Sequence, residues 1–278
     1  MEIRRERKMD NLMTFSFGGG RQSMAALVLA SRGVPELIGR TFLFSNVGED
    51  SEKPQTLEYV ETIARPFAIK NGIELHELRR VGRRGKRKGE VITIYEQLIG
   101  DNRTVDIPVR MSNGAPGNRN CTKTFKIDVI AEWTRRHGAT KDNPATVGIG
   151  FTWDEIHRIG RADRIKHQVS DYPLIDLRMT TADCVTVIEK AGLPLPPKSA
   201  CWFCPFQSNS DWLRLRENDP ELFDRAVDLE NIINAKRAKI GKDMVFLHSS
   251  ATPLDQAVGK QYELFSDDDS CQSGYCFF

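Results

Sequence analysis

The chain has 278 residues, 40% of them hydrophobic, and a formal net charge of +2 at pH 7. This composition allows one substantial core, and no apolar run is long enough to span a membrane. The basic N-terminus is not followed by a signal-type apolar segment, so we expect a cytoplasmic location and no membrane partner. In that compartment, six cysteines indicate metal or redox chemistry rather than structural disulfides.

A glycine turn between a predicted strand and a predicted helix is the first strong signal. Residues 12–17, which include Ser16, favour a buried strand, and residues 24–30 favour a helix. Between them lie Gly18, Gly19, Gly20, Arg21, Gln22 and Ser23. Glycines let backbone N–H groups approach an anion at a helix N-terminus. We therefore predict a phosphate-binding loop in which Ser23 is the N-cap. The loop matches neither the Walker pattern nor the dinucleotide fingerprint, and a plain glycine turn is the alternative.

The following segments predict a parallel sheet. Residues 40–45 and 73–78 favour strands, and residues 56–71 between them favour a helix. Strands separated by helices are typical of right-handed βαβ units. Open α/β sheets bind ligands at the carboxyl edge, where the second strand is followed by Asn46, Gly48 and Glu49. A polar connection without a ligand is the alternative.

Basic residues are clustered in two segments, the start of the chain and a glycine-containing segment at 79–89 that we expect to be a flexible loop. The clusters comprise Arg4, Arg5, Arg7 and Lys8, and Arg79, Arg80, Arg83, Arg84, Lys86, Arg87 and Lys88. Blocks of like charge are either solvated or contact a polyanion, and cations on a flexible loop suit phosphates. A nucleic acid is therefore a predicted partner, and a solvated surface is the alternative.

Cys121 lies at the start of a helix predicted after Thr122. Arg119 precedes it, and Lys123 and Lys126 follow it. Neighbouring cations favour the thiolate, and hence metal binding or reactivity, although both lysines could equally bind phosphate.

A further strand is predicted at 145–150 and ends at Gly150. Asp154, Glu155 and Arg158 follow it, which predicts the rim of a site, with a surface charge network as the alternative. Thr180 or Thr181 can then cap a helix that has Cys184 in its first turn.

Cys201 and Cys204 form a Cys-x-x-Cys pair that is followed by Pro205. This spacing brings two sulfurs onto one metal, and the proline shapes the turn. Zinc and an iron–sulfur cluster both remain open, with Cys121 and Cys184 as further ligands. Residues 211–240 predict helices that restart at Pro220, and the acidic tail carries Cys271 and Cys276.

Several of these motifs resemble those of the ATP-pyrophosphatase (PP-loop) and phosphoadenosine-phosphosulfate reductase superfamily. The loop resembles its Ser-Gly-Gly-x-Asp-Ser pattern, with Gly18 and Gln22 as departures, and Gln22 removes a carboxylate that could help to hold Mg²⁺. Residues 46–49 resemble its Asp/Asn-Thr-Gly-x-Glu segment, and residues 172–176 its Pro-Leu-x-Asp segment. Together with Arg-x-Cys-Thr-x-x-x-Lys at 119–126 and the late cysteine pair, they resemble the iron–sulfur branch. That branch includes the sulfur-transfer proteins of DNA phosphorothioation.

The resemblance implies an adenine nucleotide α-hydrolase-like fold, which is a Rossmann-like α/β fold. It has a twisted parallel sheet with helices on both faces, plus a cysteine-rich, partly helical C-terminal region. The implied division is a basic arm at 1–11, a nucleotide-binding domain at 12–192 and a cysteine-rich region at 193–278. It also implies a 4Fe–4S cluster on Cys121, Cys201 and Cys204, with Cys184 or an open iron position as the fourth site.

The implied function is ATP-dependent sulfur transfer to a nucleic acid or nucleotide by adenylation with pyrophosphate release. ATP or a sulfonucleotide would bind the loop with Mg²⁺. The implied catalytic residues are Lys126, Arg158, Glu49, Asp154 and, as a sulfur relay, Cys276. A cysteine desulfurase or another sulfur donor is an implied partner, and a homodimer is open. The alternatives are a sulfonucleotide reductase that uses a tail cysteine, and a non-catalytic nucleotide- or nucleic-acid-binding iron–sulfur or zinc module.

Overall fold

The structure is a computed structural model that describes residues 11–101, 104–159 and 165–258. These residues form two compact units. The first contains the chain up to Phe44, Tyr59–Leu78 and Ile130–Pro197, and the second contains Ser45–Glu58, Arg79–Val129 and the chain from Lys198 onward. The predicted three-part division of the chain stays a prediction.

A parallel sheet lies at the centre of the first unit. The strands of the protein are β1 (Met13–Phe17), β2 (Thr41–Asn46), β3 (Leu75–Arg79), β4 (Arg110–Met111), β5 (Ala145–Gly148), β6 (Gln168–Asp171) and β7 (Val245–Phe246). Five of them form the sheet, in the order β3-β2-β1-β5-β6. Strand β1 runs parallel to β2 and β5, and β5 runs parallel to β6. This sheet, flanked by helices, confirms the predicted Rossmann-like α/β fold class.

The helical regions that the sequence predicts are confirmed, and further short helices lie between them. They are α1 (Arg21–Ser31), α2 (Pro54–Tyr59), α3 (Arg65–Lys70), α4 (Ile94–Ile99), α5 (Asn120–Thr122), α6 (Asp128–Arg136), α7 (Pro173–Asp176), α8 (Thr181–Glu189), α9 (Asn209–Asn218), α10 (Pro220–Ala238) and α11 (Leu254–Ala257). The helix predicted at 56–71 consists of α2 and α3 joined by a π-helical turn at Val60–Ala64. The predicted restart at Pro220 is confirmed as the start of α10.

Buried apolar and ionic contacts hold the first unit together. Helix α1 is buried along residues 23–29 and packs against α8, which explains why its sequence is apolar on all sides. The rings of Phe15 and Phe42, on neighbouring strands, lie 5.2 Å apart. The buried Arg40 side chain bonds the Asp171 carboxylate of β6 and the Thr14 carbonyl oxygen of β1. These contacts fix the position of β1, whose carboxyl end carries the predicted phosphate loop.

The second unit has its own aromatic core. Trp202, Phe203 and Trp212 are each at most 1% exposed and belong to one hydrophobic cluster. Beside it, the buried Glu230 carboxylate on α10 accepts hydrogen bonds from the N–H groups of Leu247 at 2.6 Å and Leu254 at 2.9 Å. The Cys-x-x-Cys turn, which contains two of the core aromatics, is therefore built on a rigid apolar base.

Some local predictions need correction. Strand β6 was not predicted, because three of its four residues are polar and most of them are half-buried, as an edge strand permits. Helix α4 was also not assigned from the sequence, and Thr93 caps it through a bond from the Glu96 N–H at 3.1 Å. The predicted loop at 79–89 contains a 3₁₀ turn at Gly85–Arg87. No helix within the described ranges is long and apolar enough to cross a bilayer.

Candidate nucleotide loop and cysteine site

The predicted phosphate loop connects β1 to α1 in the first unit. Gly19 has a φ of 74°, in the left-handed region that glycine adopts without steric penalty. Gly20 is the N-cap, and the eleven-residue helix begins at Arg21. The first N–H groups of a helix have no partner within it and carry the positive end of its dipole. The loop therefore has the geometry of an anion-binding helix N-terminus.

The predicted role of Ser23 as N-cap is wrong. Gly20 already has an extended backbone, so the helix begins before Ser23, which occupies its third position. The buried Ser23 hydroxyl accepts a hydrogen bond from the Gly20 N–H at 3.1 Å and donates one to the Gly20 carbonyl oxygen at 2.9 Å. Ser23 thus braces the loop from inside, and one of the loop N–H groups is engaged by it.

Gly150 lies against the phosphate loop. A Cβ atom at this position would lie 3.5 Å from Gln22 Cβ and 3.5 Å from the Phe15 ring. Gln22 occupies the place of the aspartate in the resembled pattern, so Gly150 borders the position where the chain departs from that pattern. Of the other predicted loop residues, Ser16 pairs with Leu43 of β2, and Arg21 is exposed.

Arg158 is a buried cation with unused hydrogen-bond donors. Its side chain is 7% exposed and forms an ion pair with Glu155. The guanidinium carbon lies 4.1 Å from the centre of the ring of Phe151, the residue that follows Gly150 in the sequence. Its Nε and Nη2 atoms have no hydrogen-bond partner among the described residues. Buried donors are normally satisfied, so this position is suited to an anion such as a phosphate group.

Asp154 contacts the start of α8. Its carboxylate accepts hydrogen bonds from the Thr181 N–H at 3.2 Å and the Thr181 hydroxyl at 2.8 Å. Burial acts to raise the pKa of Asp154, but hydrogen bonds from Thr152 and Thr181 outweigh it and lower the pKa. Asp154 is therefore a carboxylate at neutral pH with a clear structural contact, and its catalytic role stays a prediction.

Asn46, Gly48 and Glu49 form a hydrogen-bonded turn in the second unit. Asn46 Oδ1 accepts from the Gly48 N–H at 2.8 Å, and Asn46 Nδ2 donates to Glu49 Oε1 at 3.3 Å. Gly48 has a φ of 123°, and a Cβ there would lie 2.5 Å from Thr93 Cβ, so only glycine fits. The Arg79 guanidinium bonds both Glu49 oxygens and is the main cause of the lowered pKa of that carboxyl. Glu49 is thus ionised and neutralised by Arg79.

Cys121, Cys201 and Cys204 lie in the second unit. The Cys204 N–H donates to the Cys201 carbonyl oxygen at 3.1 Å, which forms the Cys-x-x-Cys turn. An antiparallel bridge joins Cys201 to Glu52, in the segment that follows β2. Cys121, in α5, packs with Cys201 against the same hydrophobic cluster, which contains Trp202. The fold therefore brings these three predicted ligands into one region.

The thiols are buried and influence one another. Burial is the main cause that raises the pKa of Cys201 well above its ordinary value, and Cys204 and Cys121 contribute further. Burial also raises the pKa of Cys121, although Arg119 and Lys126 act in the opposite direction. The expectation that neighbouring cations make Cys121 a thiolate is therefore wrong for the free thiol, because desolvation outweighs their charge.

The three cysteines supply thiol donors of the kind that zinc and an iron–sulfur cluster both use. Within the described ranges, no group of three or more His, Cys, Asp or Glu side chains is placed to hold a metal ion. Cys201 interacts electrostatically with Cys204 and Cys121, and Lys126 influences both Cys121 and Cys201. The 4Fe–4S cluster and its ligands stay predictions.

Cys184 has a separate environment. It lies in α8 of the first unit and is fully buried. Burial raises its pKa to about 12, and the carboxylates Asp154, Asp183 and Glu155 contribute. No cysteine contributes to this shift, and the role of Cys184 as a fourth ligand stays a prediction. Cys276 and Cys271 lie outside the described residues.

Two charged residues near the cysteines, the buried Glu52 and the half-buried Arg110, were not predicted. Glu52 is 1% exposed, its Oε1 has no hydrogen-bond partner among the described residues, and burial raises its pKa. It lies in a run of consecutive polar residues, and the sequence does not show which of them points inward. Arg110 lies in β4, and its charge interacts with that of Cys204. Its only sequence signal is an arginine between two apolar residues.

Comparisons with known proteins give distant similarities. No family model matches the chain. Among curated proteins, it is similar to the uncharacterized protein MJ0973 of Methanocaldococcus jannaschii, with 24% identity over 223 residues, covering 77% of the chain and 46% of that protein. The chain thus spans less than half the length of this relative.

Two solved structures are also similar to the chain. One is the phosphoadenylyl-sulfate (PAPS) reductase of Candida auris, in a phosphate complex, with a TM-score of 0.43 and 14% identity, covering 66% of the chain and 75% of that protein. The other is the U34-tRNA thiolase NcsA of Methanococcus maripaludis with its [4Fe-4S] cluster, with a TM-score of 0.41 and 13% identity, covering 82% of the chain and 71% of that protein. Because both TM-scores lie below 0.5, the fold class rests on the strand order of the chain itself.

Proposed function

We propose that this protein is a PP-loop enzyme that uses ATP to activate a nucleic acid acceptor and then replaces an acceptor oxygen with sulfur. The observation that supports this most is the presence, in one chain, of a glycine loop at a helix N-terminus and a set of three cysteines that pack in one region. The loop suits nucleotide phosphates, and the cysteines suit an iron–sulfur cluster.

In this proposal, ATP binds with its phosphates at the N–H groups of the loop. The unpartnered donors of Arg158 bind a phosphate oxygen, because a buried guanidinium without an acceptor is otherwise unfavourable. Mg²⁺ enters with the nucleotide and is held by phosphate oxygens and water, since Gln22 supplies no carboxylate. Arg158 neutralises charge on the transferring group, which is the main catalytic requirement of phosphoryl-type transfer; the sequence offers Lys126 as the alternative residue for this role.

The reaction has two substitution steps. An acceptor oxygen attacks the α-phosphorus of ATP, so a P–O bond to the acceptor forms and the bond to pyrophosphate breaks. Sulfur at the hydrosulfide level then attacks the activated carbon or phosphorus, and AMP leaves with the former acceptor oxygen. No change of oxidation state is required. A 4Fe–4S cluster held by Cys121, Cys201 and Cys204 would supply a place to hold that sulfur. Sulfide provides it directly, whereas a cysteine desulfurase provides a persulfide, from which two thiols release hydrosulfide as they are oxidised to a disulfide.

The experiment has two readouts on anaerobically purified protein. Iron and acid-labile sulfide are measured with a visible spectrum, and pyrophosphate release from ATP is measured with and without single-stranded DNA or RNA. We expect a broad absorption near about 400 nm and release that depends on the nucleic acid. Cys201→Ser should lose the absorption, whereas Cys201→Ala controls for serine ligation.

Two outcomes would overturn the proposal. Stoichiometric zinc without iron would favour a zinc module that binds nucleotides. Sulfite release from adenylyl sulfate or its 3′-phosphate, without pyrophosphate release from ATP, would favour a sulfonucleotide reductase.

A further inference from the structure

Two arginines near the cysteines have buried N–H groups without an acceptor. Arg110 lies in β4, and Arg119 immediately precedes α5. Arg110 Nε and Arg119 Nη1 are buried and have no hydrogen-bond partner within the part of the chain that the structure describes. Because buried donors are almost always satisfied, an acceptor from outside this part of the chain is expected at both atoms.

Both guanidinium groups contact the ring of Phe206. The Arg110 and Arg119 guanidinium carbons lie 5.5 Å and 5.2 Å from the centre of its ring, within the range of cation–π contacts. The chain between the arginines folds back on itself, with the Gly117 N–H bonded to the Val109 carbonyl oxygen at 2.7 Å. Two positive charges are thereby fixed on one aromatic ring.

The nearby carboxylate does not neutralise this pair. Asp106 accepts hydrogen bonds from the side-chain amides of Gln97 and Asn120, one at each of its oxygens. No ion pair joins Arg110 or Arg119 to a carboxylate among the described residues. In contrast, two of the seven basic residues in the segment at 79–89 form ion pairs, Arg79 with Glu49 and Arg87 with two glutamates. The two arginines on Phe206 therefore remain available for an external anion.

The pair also lies close to the predicted sulfur site. Arg110 interacts electrostatically with Cys204, and Arg119 with Cys121. Phe206 follows Cys204 by two positions in the sequence. An anion bound by the two arginines would therefore lie in the same region as these thiols.

We propose that Arg110, Arg119 and Phe206 form a binding site for a backbone phosphate of the acceptor nucleic acid. Planar guanidinium groups match phosphate oxygens with paired N–H donors, and the cation–π contacts with Phe206 hold both groups in place. This inference rests on the proposed function, because it names the site at which the nucleic acid acceptor binds.

The test is binding of a fluorescently labelled single-stranded oligonucleotide to the full chain, measured by anisotropy at several salt concentrations without ATP. The double variant Arg110→Gln/Arg119→Gln should bind at least about tenfold more weakly. Loss of one phosphate contact should also reduce the slope of log K against log salt by about 0.7. Arg119→Lys keeps the charge but not the forked geometry, so it should weaken binding while largely retaining the slope.

Arg225→Gln is the matched control. Arg225 also lies over aromatic rings of this unit, at 5.0 Å from Trp202 and 5.5 Å from Tyr95. It has no buried unpartnered N–H among the described residues. Its removal should leave oligonucleotide affinity and salt slope unchanged. Thermal melting of every variant shows whether the fold is retained, and the Arg119→Lys variant covers the case in which the double variant does not fold.

Two results would overturn the inference. One is a folded double variant, or Arg119→Lys, with wild-type affinity and salt slope. The other is that adenylyl sulfate displaces the oligonucleotide from the wild-type protein and no longer binds the double variant. The two arginines would then bind a sulfonucleotide rather than a nucleic acid. Failure of the proposed function is distinct, since it leaves oligonucleotide binding intact but gives no pyrophosphate.

Discussion

Replacing Arg158 with methionine separates a ligand-binding role from a structural one. The substitution removes the ion pair with Glu155, which stabilises the fold, and it also removes two buried donors, Nε and Nη2, that have no partner among the described residues. A hydrogen bond to a charged group contributes about 1.5–3 kcal/mol, and each unsatisfied buried donor costs about 1–3 kcal/mol. These effects offset each other, and the methionine side chain can still contact the Phe151 ring. We expect the free energy of unfolding without nucleotide to change by less than about 1 kcal/mol.

Nucleotide affinity should change much more. Loss of one charge-assisted bond to a phosphate, worth about 1.5–3 kcal/mol, corresponds to a Kd for ATP that is about 10- to 150-fold higher. Urea denaturation measures the first quantity, and calorimetric titration with ATP measures the second. Arg158→Lys, which keeps the charge, should lie between wild type and Arg158→Met in affinity. An unchanged Kd for ATP, together with a loss of more than about 3 kcal/mol of stability, would show that Arg158 only holds the fold together.

Two further predictions concern the fold around the sites. Gly48→Ala should destabilise the protein more than Gly33→Ala does. Both glycines have positive φ, so each substitution costs about 1–2 kcal/mol of left-handed strain, but only a Cβ at Gly48 would also clash with a neighbour. Equal losses of stability on urea denaturation would contradict this. Burial raises the pKa of Glu230 above its ordinary 4.5, so the folded state binds more protons there, and stability should fall as the pH rises from about 4.5 through the raised pKa. Glu230→Gln should flatten this part of the stability–pH curve, and an unchanged curve would contradict it.

The sequence was sufficient to predict the elements that depend on local signals. The apolar run of β1, the three glycines and the helix formers of α1 are adjacent, and each favours the observed structure by its own backbone preference. The Cys-x-x-Cys turn is equally local. The N-cap of α1 was misplaced because glycine and serine both occur at N-caps, and only the backbone angles at Gly20 decide between them.

Features that depend on distant contacts could not be predicted. The pairing of Glu52 with Cys201, and the position of Phe206 against Arg110, join segments that are far apart in the sequence. No periodicity in either segment indicates the other. The raised pKa of the Cys121 thiol also depends on burial by the folded chain, whereas the sequence shows only its cationic neighbours. Such sites follow from tertiary packing, which local patterns do not encode.

The most direct test of the proposed sulfur transfer is a sulfur-incorporation assay under anaerobic conditions. Protein reconstituted with iron and sulfide is mixed with ATP, Mg²⁺, labelled sulfide and a single-stranded nucleic acid. Pyrophosphate released and sulfur in the acceptor are then counted together. We predict equal amounts of released pyrophosphate and incorporated sulfur in the wild type, and loss of sulfur incorporation in Cys201→Ala. ATP binding without pyrophosphate release on any acceptor, or sulfur incorporation that is independent of ATP, would contradict it.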